Sequence, residues 1–238
     1  MRKVFFALIF SVFFADLGCA ANSLEYYKKE CLEIIDKPKV SVKYSLGRLR
    51  YDFKKTRKYI EQEKKKNLIY QNIEQVEGME IDGLTSIRNN FEVNLEAKQI
   101  GVSDGYQCVY PESIDVYLGY FAPVIYIAND LPEDSCRYKL ALRHEKTHMQ
   151  IYVEALLYIL PKLKSETNLS IEKIGVKVIG RNDDVSVAAK KLHEEYVGYL
   201  KAFVDKWQKE MYAEQLKLDS YENYMIESRI CKEIDELE

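Results

Sequence analysis

The stretch CRYKLALRHEKTHMQIYVEALLYIL, residues 136–160, sets the fold of the second half of the chain. Its apolar residues recur at helical spacing and its charged residues fall on the opposite side, which predicts an amphipathic helix. Asp134 or Ser135 is suited to cap the first turn, and Pro161 is expected to end the helix. We therefore expect a helix of about seven turns that buries one face.

Two further helices are predicted after this one. A long helix should begin after Asp184, because an amphipathic pattern follows that residue. A third should begin near Asp219, since Asp219 and Glu222 have the spacing of a capping box. Between the first two helices, residues 162–181 show only a weak pattern that fits a short strand.

The first half of the chain has the pattern of a sheet. Residues 39–128 repeatedly alternate apolar and polar positions, as half-buried antiparallel strands do, and a charged helix over about 54–66 interrupts them. The sequence thus predicts an α+β fold, with an antiparallel sheet packed on a C-terminal helical half. We expect one domain over 22–238, mostly strands in 22–130 and mostly helices in 131–238.

The N-terminus has the pattern of a secretory signal peptide. Arg2 and Lys3 precede an almost unbroken apolar run over 4–14, and small residues follow. We predict a signal peptide over 1–21 and export to the periplasm or the cell exterior. The end of this segment also resembles a bacterial lipoprotein signal, in which Cys19 would be lipidated and would attach the protein to a membrane.

The cysteines and the net charge limit the metal sites and the classes of partner that we expect. Four cysteines follow the predicted signal peptide: Cys31, Cys108, Cys136 and Cys231. An even number of cysteines in an exported protein predicts two disulfides, and three pairings of the four are possible. The sequence has no Cys-x-x-Cys pair, so we expect no zinc site made of cysteines. The net charge of −3 is spread over both signs, so we expect no nucleic-acid partner. A membrane partner is expected only if Cys19 is lipidated.

The segment His144-Glu145-Lys146-Thr147-His148 is the strongest chemical signal. On a helix, His144 and His148 are about 40° apart around the axis, so both imidazoles can bind one Zn²⁺ at about 2.0–2.1 Å. Glu145 is rotated by about 100° and is suited to be the general base that takes a proton from water. Zinc lowers the pKa of its bound water to about 7. Two zinc ligands beside a general base therefore predict a hydrolytic enzyme.

A catalytic zinc site needs a third protein ligand. The chain has three histidines, and the one outside the motif, His193, borders the apolar face of the second helix. If the two helices pack antiparallel across residues 161–184, His148 and His193 lie about 18 and 12 Å from the turn, at similar levels. His193 is our preferred third ligand, and a Glu from a later helix is the alternative. Ile151 and Glu154 stand where a metzincin needs Gly and His, which excludes that class.

The motif and its flanks resemble a family of bacterial exported, zincin-like, zinc-dependent protease-like proteins of uncharacterised function. The similarity covers about residues 124–231 and rests on the motif, on the preceding Cys136-Arg137-Tyr138, and on residues 218–224 followed by Cys231.

The resemblance implies roles for individual residues. It makes His144 and His148 zinc ligands and Glu145 the base, and a later helical histidine of the family matches His193. It also favours a disulfide between Cys136 and Cys231, which would tie the motif helix to the C-terminal helix.

These observations predict an exported zinc metallopeptidase that acts on a peptide or protein substrate. The alternative is a non-catalytic cell-envelope protein in which zinc or the disulfides only stabilise the fold. A binding protein with an inert site is a third hypothesis.

Overall fold

The fold is taken from a computed structural model, which describes residues 15–66 and 80–235, with side chains over 24–66 and 80–233. Residues 1–14 of the predicted signal peptide, and the side chain of Cys19, lie outside the described residues. In chain order the elements are α1 (Ala15–Ile34), β1 (Lys39–Ser45), β2 (Arg50–Lys55), α2 (Arg57–Lys66), β3 (Gly83–Gly101), a short 3-10 turn (Ser103–Gly105), β4 (Gln107–Ala128), α3 (Cys136–Ile174), β5 (Lys177–Ile179), α4 (Val185–Leu218) and α5 (Tyr221–Asp235). The predicted α+β fold class is confirmed.

The sheet is built on the long hairpin of β3 and β4. These strands pair antiparallel along nearly their whole length, from Gly83 opposite Ile127 to Gly101 opposite Gln107. The short strand β5 pairs antiparallel with the first residues of β4. Strand β4 is continuous over 22 residues and forms the last part of the alternating region 39–128.

Strands β1 and β2 act as one interrupted strand that runs parallel to β4. Ser45 pairs with Gly119 and Arg50 pairs with Val124, so the register is the same on both sides of the break. Opposite the break, Pro123 lacks an N–H for the ladder. The sheet is therefore mixed rather than purely antiparallel. The sequence pattern did not distinguish the two, because parallel and antiparallel strands share a period of two.

Helix α3 continues well beyond the point where the sequence predicted its end. It spans 39 residues and ends before Gly175, whose φ of 67° suits glycine. The prediction that Pro161 ends it is wrong. Pro161 removes the N–H that would bond the carbonyl of Leu157, but both residues are exposed, so water can solvate that carbonyl.

Helices α3 and α4 lie antiparallel and share one core with the sheet. Near the turn the hydroxyl of Tyr196 donates to the carbonyl of Gly175, and far from it Gln215 donates to the carbonyl of His148. The core is formed mainly by side chains of β4, α3 and α4, among them Ile114, Leu118, Ile125, Tyr152, Leu156, Leu192 and Leu200. This packing buries the face of α3 that carries part of the predicted zinc motif.

Two disulfides join the outer helices to this core. Cys31 pairs with Cys108 and ties α1 to the start of β4, while Cys136 pairs with Cys231 and ties the start of α3 to α5. The predicted number of disulfides and the Cys136–Cys231 pairing are confirmed. Over the described residues, no helix combines the length with the apolar character needed to cross a membrane.

Candidate metal centre

The third turn of α3 is fixed on strand β3. Ser135 caps the helix, because its side chain accepts a hydrogen bond from the backbone N–H of Tyr138. Two turns further on, the hydroxyl of Thr85 in β3 donates to the carbonyl of Glu145 at 2.7 Å. Glu145 and His148 are consequently buried, with 5% and 3% of their surface exposed.

Three ligand atoms converge beside this buried turn. The Nε2 atoms of His144 and His148 are 3.1 Å apart, and they lie 3.0 and 2.9 Å from the same Oδ1 atom of Asp219. A tetrahedral zinc ion with bonds of about 2.0–2.1 Å holds its donor atoms about 3.3 Å apart. The triangle has nearly the size of one face of such a tetrahedron, so these three residues could hold a metal ion.

The ring of His148 is oriented by Gln215, which is fully buried. The amide nitrogen of Gln215 donates to the backbone carbonyl of His148 at 3.1 Å, which leaves its amide oxygen facing Nδ1 of the same residue. An amide oxygen only accepts, so Nδ1 must carry the proton. In neutral His148 the lone pair is therefore on Nε2 and points at Asp219.

Glu227 orients the ring of His144 in the same way. Its Oε2 atom lies 3.1 Å from Nδ1 of His144, and an ionised carboxylate can only accept. The proton of a neutral His144 is therefore on Nδ1 and the lone pair on Nε2. Two nitrogen lone pairs and one carboxylate oxygen then face one another, an arrangement that is satisfied by a cation among them.

In the absence of metal, protons supply this positive charge. Burial alone would lower the pKa of His144, but its hydrogen bonds to Asp219 and Glu227 dominate and raise that pKa to about 10. The pKa of His148 is also raised, because its contact with Asp219 outweighs burial. Burial acts to raise the pKa of Asp219, yet its hydrogen bonds to both histidines lower it well below the usual range. The group thus favours positive charge between its members.

Glu145 lies against β3 rather than in the triangle of ligands. A Cβ atom at Gly83 would come within 2.6 Å of Cγ of Glu145, so only glycine allows this close approach. Among the described residues, Oε2 of Glu145 has no hydrogen-bond partner. Burial raises the pKa of Glu145, and the charges of His148 and His144 oppose this in part. A buried carboxylate with one free oxygen can accept a proton.

The structure brings three of the four predicted site residues together. His144 and His148 form the group and Glu145 adjoins it, while His193 lies elsewhere on α4, with its Nε2 atom 2.8 Å from the carbonyl oxygen of Val93. The turn comes later than predicted. His148 is 26 residues, about 39 Å, from the end of α3, whereas His193 is 8 residues, about 12 Å, from the start of α4.

Asp219 is the site residue that sequence reasoning missed. The capping-box spacing assigned it to the start of α5, but Ser220 fills that role: its Oγ accepts from the N–H of Asn223 and its carbonyl accepts from Tyr224. The carboxylate of Asp219 is then free to face the histidines. The predicted alternative named a Glu from a later helix, whereas the carboxylate that lies beside the two histidines is that of Asp219.

Comparison of the chain with protein-family models, with curated proteins and with solved structures gave no match. The resemblance to exported zincin-like proteins therefore stays a prediction.

Proposed function

We propose that the protein is an exported zinc-dependent hydrolase, and specifically a metallopeptidase. His144, His148 and Asp219 would hold the zinc ion, and Glu145 would be the general base. The observation that carries the proposal is the convergence of two Nε2 atoms and one carboxylate oxygen beside a buried glutamate in the same helical turn.

The donor set favours zinc. Two imidazoles and one carboxylate are the ligands of several catalytic zinc sites, which keep a further position for water or substrate. Both imidazoles have their other nitrogen held by an acceptor, as zinc-binding histidines usually do. These features fit a neutral imidazole ligand and a divalent ion.

The chain's own residues supply the acid–base chemistry. Zinc, when bound, makes water acidic enough to be a nucleophile near neutral pH and polarises a carbonyl. Oε2 of Glu145 accepts a proton from the attacking water and later returns it to the leaving amine. The raised pKa of Glu145 makes its carboxylate a stronger base, and its contacts with Gly83 and Thr85 keep it in place.

Two further features support a peptide substrate and an exported protein. A helical His-Glu-x-x-His segment is typical of metallopeptidases. The apolar run over 4–14, with its basic start, has the pattern of a signal peptide, and the two disulfides suit an oxidising compartment.

A second candidate function is a non-catalytic envelope protein stabilised by zinc and by its disulfides. The burial of the group favours it: only 3% of His148 and 5% of Glu145 are exposed, and Gln215 and Glu227 occupy the outer sides of the two imidazoles. A structural zinc site needs no access for substrate.

One experiment separates the two candidates. Zinc content and hydrolysis of a mixed peptide library are measured for the wild type, for Glu145→Gln and for the control Glu154→Gln, which alters an exposed residue of the same helix. We expect one zinc per chain in all three proteins and a loss of at least about 100-fold in turnover in Glu145→Gln only. Equal turnover in Glu145→Gln would refute the role of the base. A wild type that binds zinc and cleaves nothing would favour the structural candidate.

A further inference from the structure

Helix α5 has little apolar packing to hold it on the protein. It spans 15 residues, none of whose described side chains is fully buried. Tyr221 and Ile226 are half exposed or more, and the hydrophobic core over the described residues draws its side chains from other elements. Its position therefore depends on specific contacts.

The contacts that hold α5 form a line along α3. Cys231 is bonded to Cys136, and one turn earlier on α5 Glu227 meets His144, two turns further along α3. The other carboxylate oxygen of Glu227 lies 3.7 Å from Arg143. Helices α3 and α5 thus run antiparallel, and the disulfide lies one turn of α5 away from the contact between Glu227 and His144.

Asp219 is held independently of this line. Its backbone N–H donates to the carbonyl of Gln215 at the end of α4, and α4 is anchored in the core. A change in the position of α5 would therefore move Glu227 more than Asp219.

We propose that Glu227 is a positioning residue of the metal group, which we define as His144, His148 and Asp219, and that the Cys136–Cys231 disulfide holds Glu227 against His144. Metal affinity then depends on the redox state of this disulfide. The inference rests on the proposed metal site, and it assigns to α5 the regulation of that site.

The chemical step is a reduction by a dithiol. The sulfur–sulfur bond takes up two electrons and two protons and becomes two thiols, while the dithiol forms its own disulfide. Without the covalent tie, α5 separates from α3 and Glu227 leaves Nδ1 of His144. The ring orientation and the tautomer of His144 are then no longer fixed, and loss of such a partner typically lowers metal affinity by about 10–100-fold.

The first test compares the two disulfides. Zinc affinity is measured by competition with a chromophoric chelator for the oxidised wild type, for Cys136→Ser/Cys231→Ser and for the control Cys31→Ser/Cys108→Ser. We expect about 10–100-fold weaker binding when the α3–α5 disulfide is removed and less than about a 3-fold change in the control. Equal affinity of the Cys136→Ser/Cys231→Ser protein and the wild type would overturn the inference.

The second test keeps both disulfides and alters Glu227. Glu227→Ala should weaken zinc binding by about 10–100-fold, and Glu227→Gln should restore most of it because its amide oxygen still accepts from Nδ1. Glu222→Ala, at an exposed position of the same helix, is the matched control and should have no effect.

The effects of the two sets of variants on zinc affinity must also be less than additive. In the Cys136→Ser/Cys231→Ser background, Glu227→Ala should cost little more, because Glu227 has already left His144. Fully additive losses would overturn the link between the disulfide and Glu227. Absence of zinc from the oxidised wild type would overturn the metal site itself, whereas zinc binding that is insensitive to Glu227 would overturn this inference alone.

Discussion

Replacement of Asp219 by Asn tests which residue completes the metal group. The change keeps the size of the side chain and one oxygen but removes the negative charge. Oδ1 of Asp219 lies within 3.0 Å of both Nε2 atoms, whereas His193 contacts the carbonyl of Val93 instead. We therefore expect Asp219→Asn to weaken zinc binding strongly and His193→Ala to leave it unchanged.

The size of the effect follows from binding linkage. Zinc at 100 times its dissociation constant stabilises the folded protein by about 2.7 kcal/mol. For a chain of 238 residues each kcal/mol corresponds to about 2–4 °C, so zinc should raise the Tm of the wild type by about 5–11 °C. If Asp219→Asn weakens binding by about 100-fold, the same zinc concentration gives only about 0.4 kcal/mol, or about 1–2 °C.

The assay is thermal unfolding with and without zinc, each variant being compared with its own metal-free form. This comparison matters because Asp219→Asn also removes the negative charge that strengthens the hydrogen bonds to two histidines, which lowers the Tm of the metal-free protein. A full zinc-induced shift in Asp219→Asn, or the loss of that shift in His193→Ala, would refute the assignment of the third ligand.

Three further predictions concern the base, the pH dependence and the second disulfide. Gly83→Ala should displace Glu145, since the new Cβ would lie 2.6 Å from its Cγ, so peptidase turnover should fall while zinc content stays at the wild-type value. In metal-free protein the pKa of His144 is raised to about 10 from an unfolded value of about 6.5, so its contribution to stability is complete below pH 6.5 and is lost as the pH rises through 10. Zinc-loaded protein should instead become more stable as the pH rises from 6 to 8, because fewer protons then compete with zinc for the ligands. Denaturant unfolding across this pH range, with chelator and with zinc, measures both trends. An equal dependence of the free energy of unfolding on pH in the two conditions would contradict the prediction. Cys31→Ser/Cys108→Ser, which opens a loop of 77 residues, should lower the free energy of unfolding by up to about 4.5 kcal/mol, and an unchanged denaturation midpoint would contradict this.

The features that were predictable from sequence are those with local causes. The start of α3 at its Ser135 cap and the start of α4 after Asp184 follow from side chains that bond backbone N–H groups within three residues. The alternation of apolar residues indicated the strands because successive side chains of a strand point to opposite faces of the sheet. The motif of His144, Glu145 and His148 needs only a helix, and the helix is present.

The third ligand was not predictable because it depends on the length of α3. Proline in a helix costs about 3 kcal/mol, which favours an end at Pro161, but residues beyond it such as Leu163 and Thr167 are fully buried and offset that cost. The turn therefore lies 14 residues, or about 21 Å, further along than predicted. An error of this size moves the level of His148 from the start of α4 to its end, where Gln215 and Asp219 stand.

The state of Glu145 favours the enzyme over the structural candidate. A buried acceptor without a hydrogen bond costs about 1–3 kcal/mol, and more when it is charged. Oε2 of Glu145 is in this state among the described residues, and an apolar side chain there would avoid the cost. A site that only stabilised the fold would need His144, His148 and Asp219 but no such neighbour. A destabilising carboxylate beside a metal group is instead what proton transfer requires, since the free oxygen must stay ready to accept a proton.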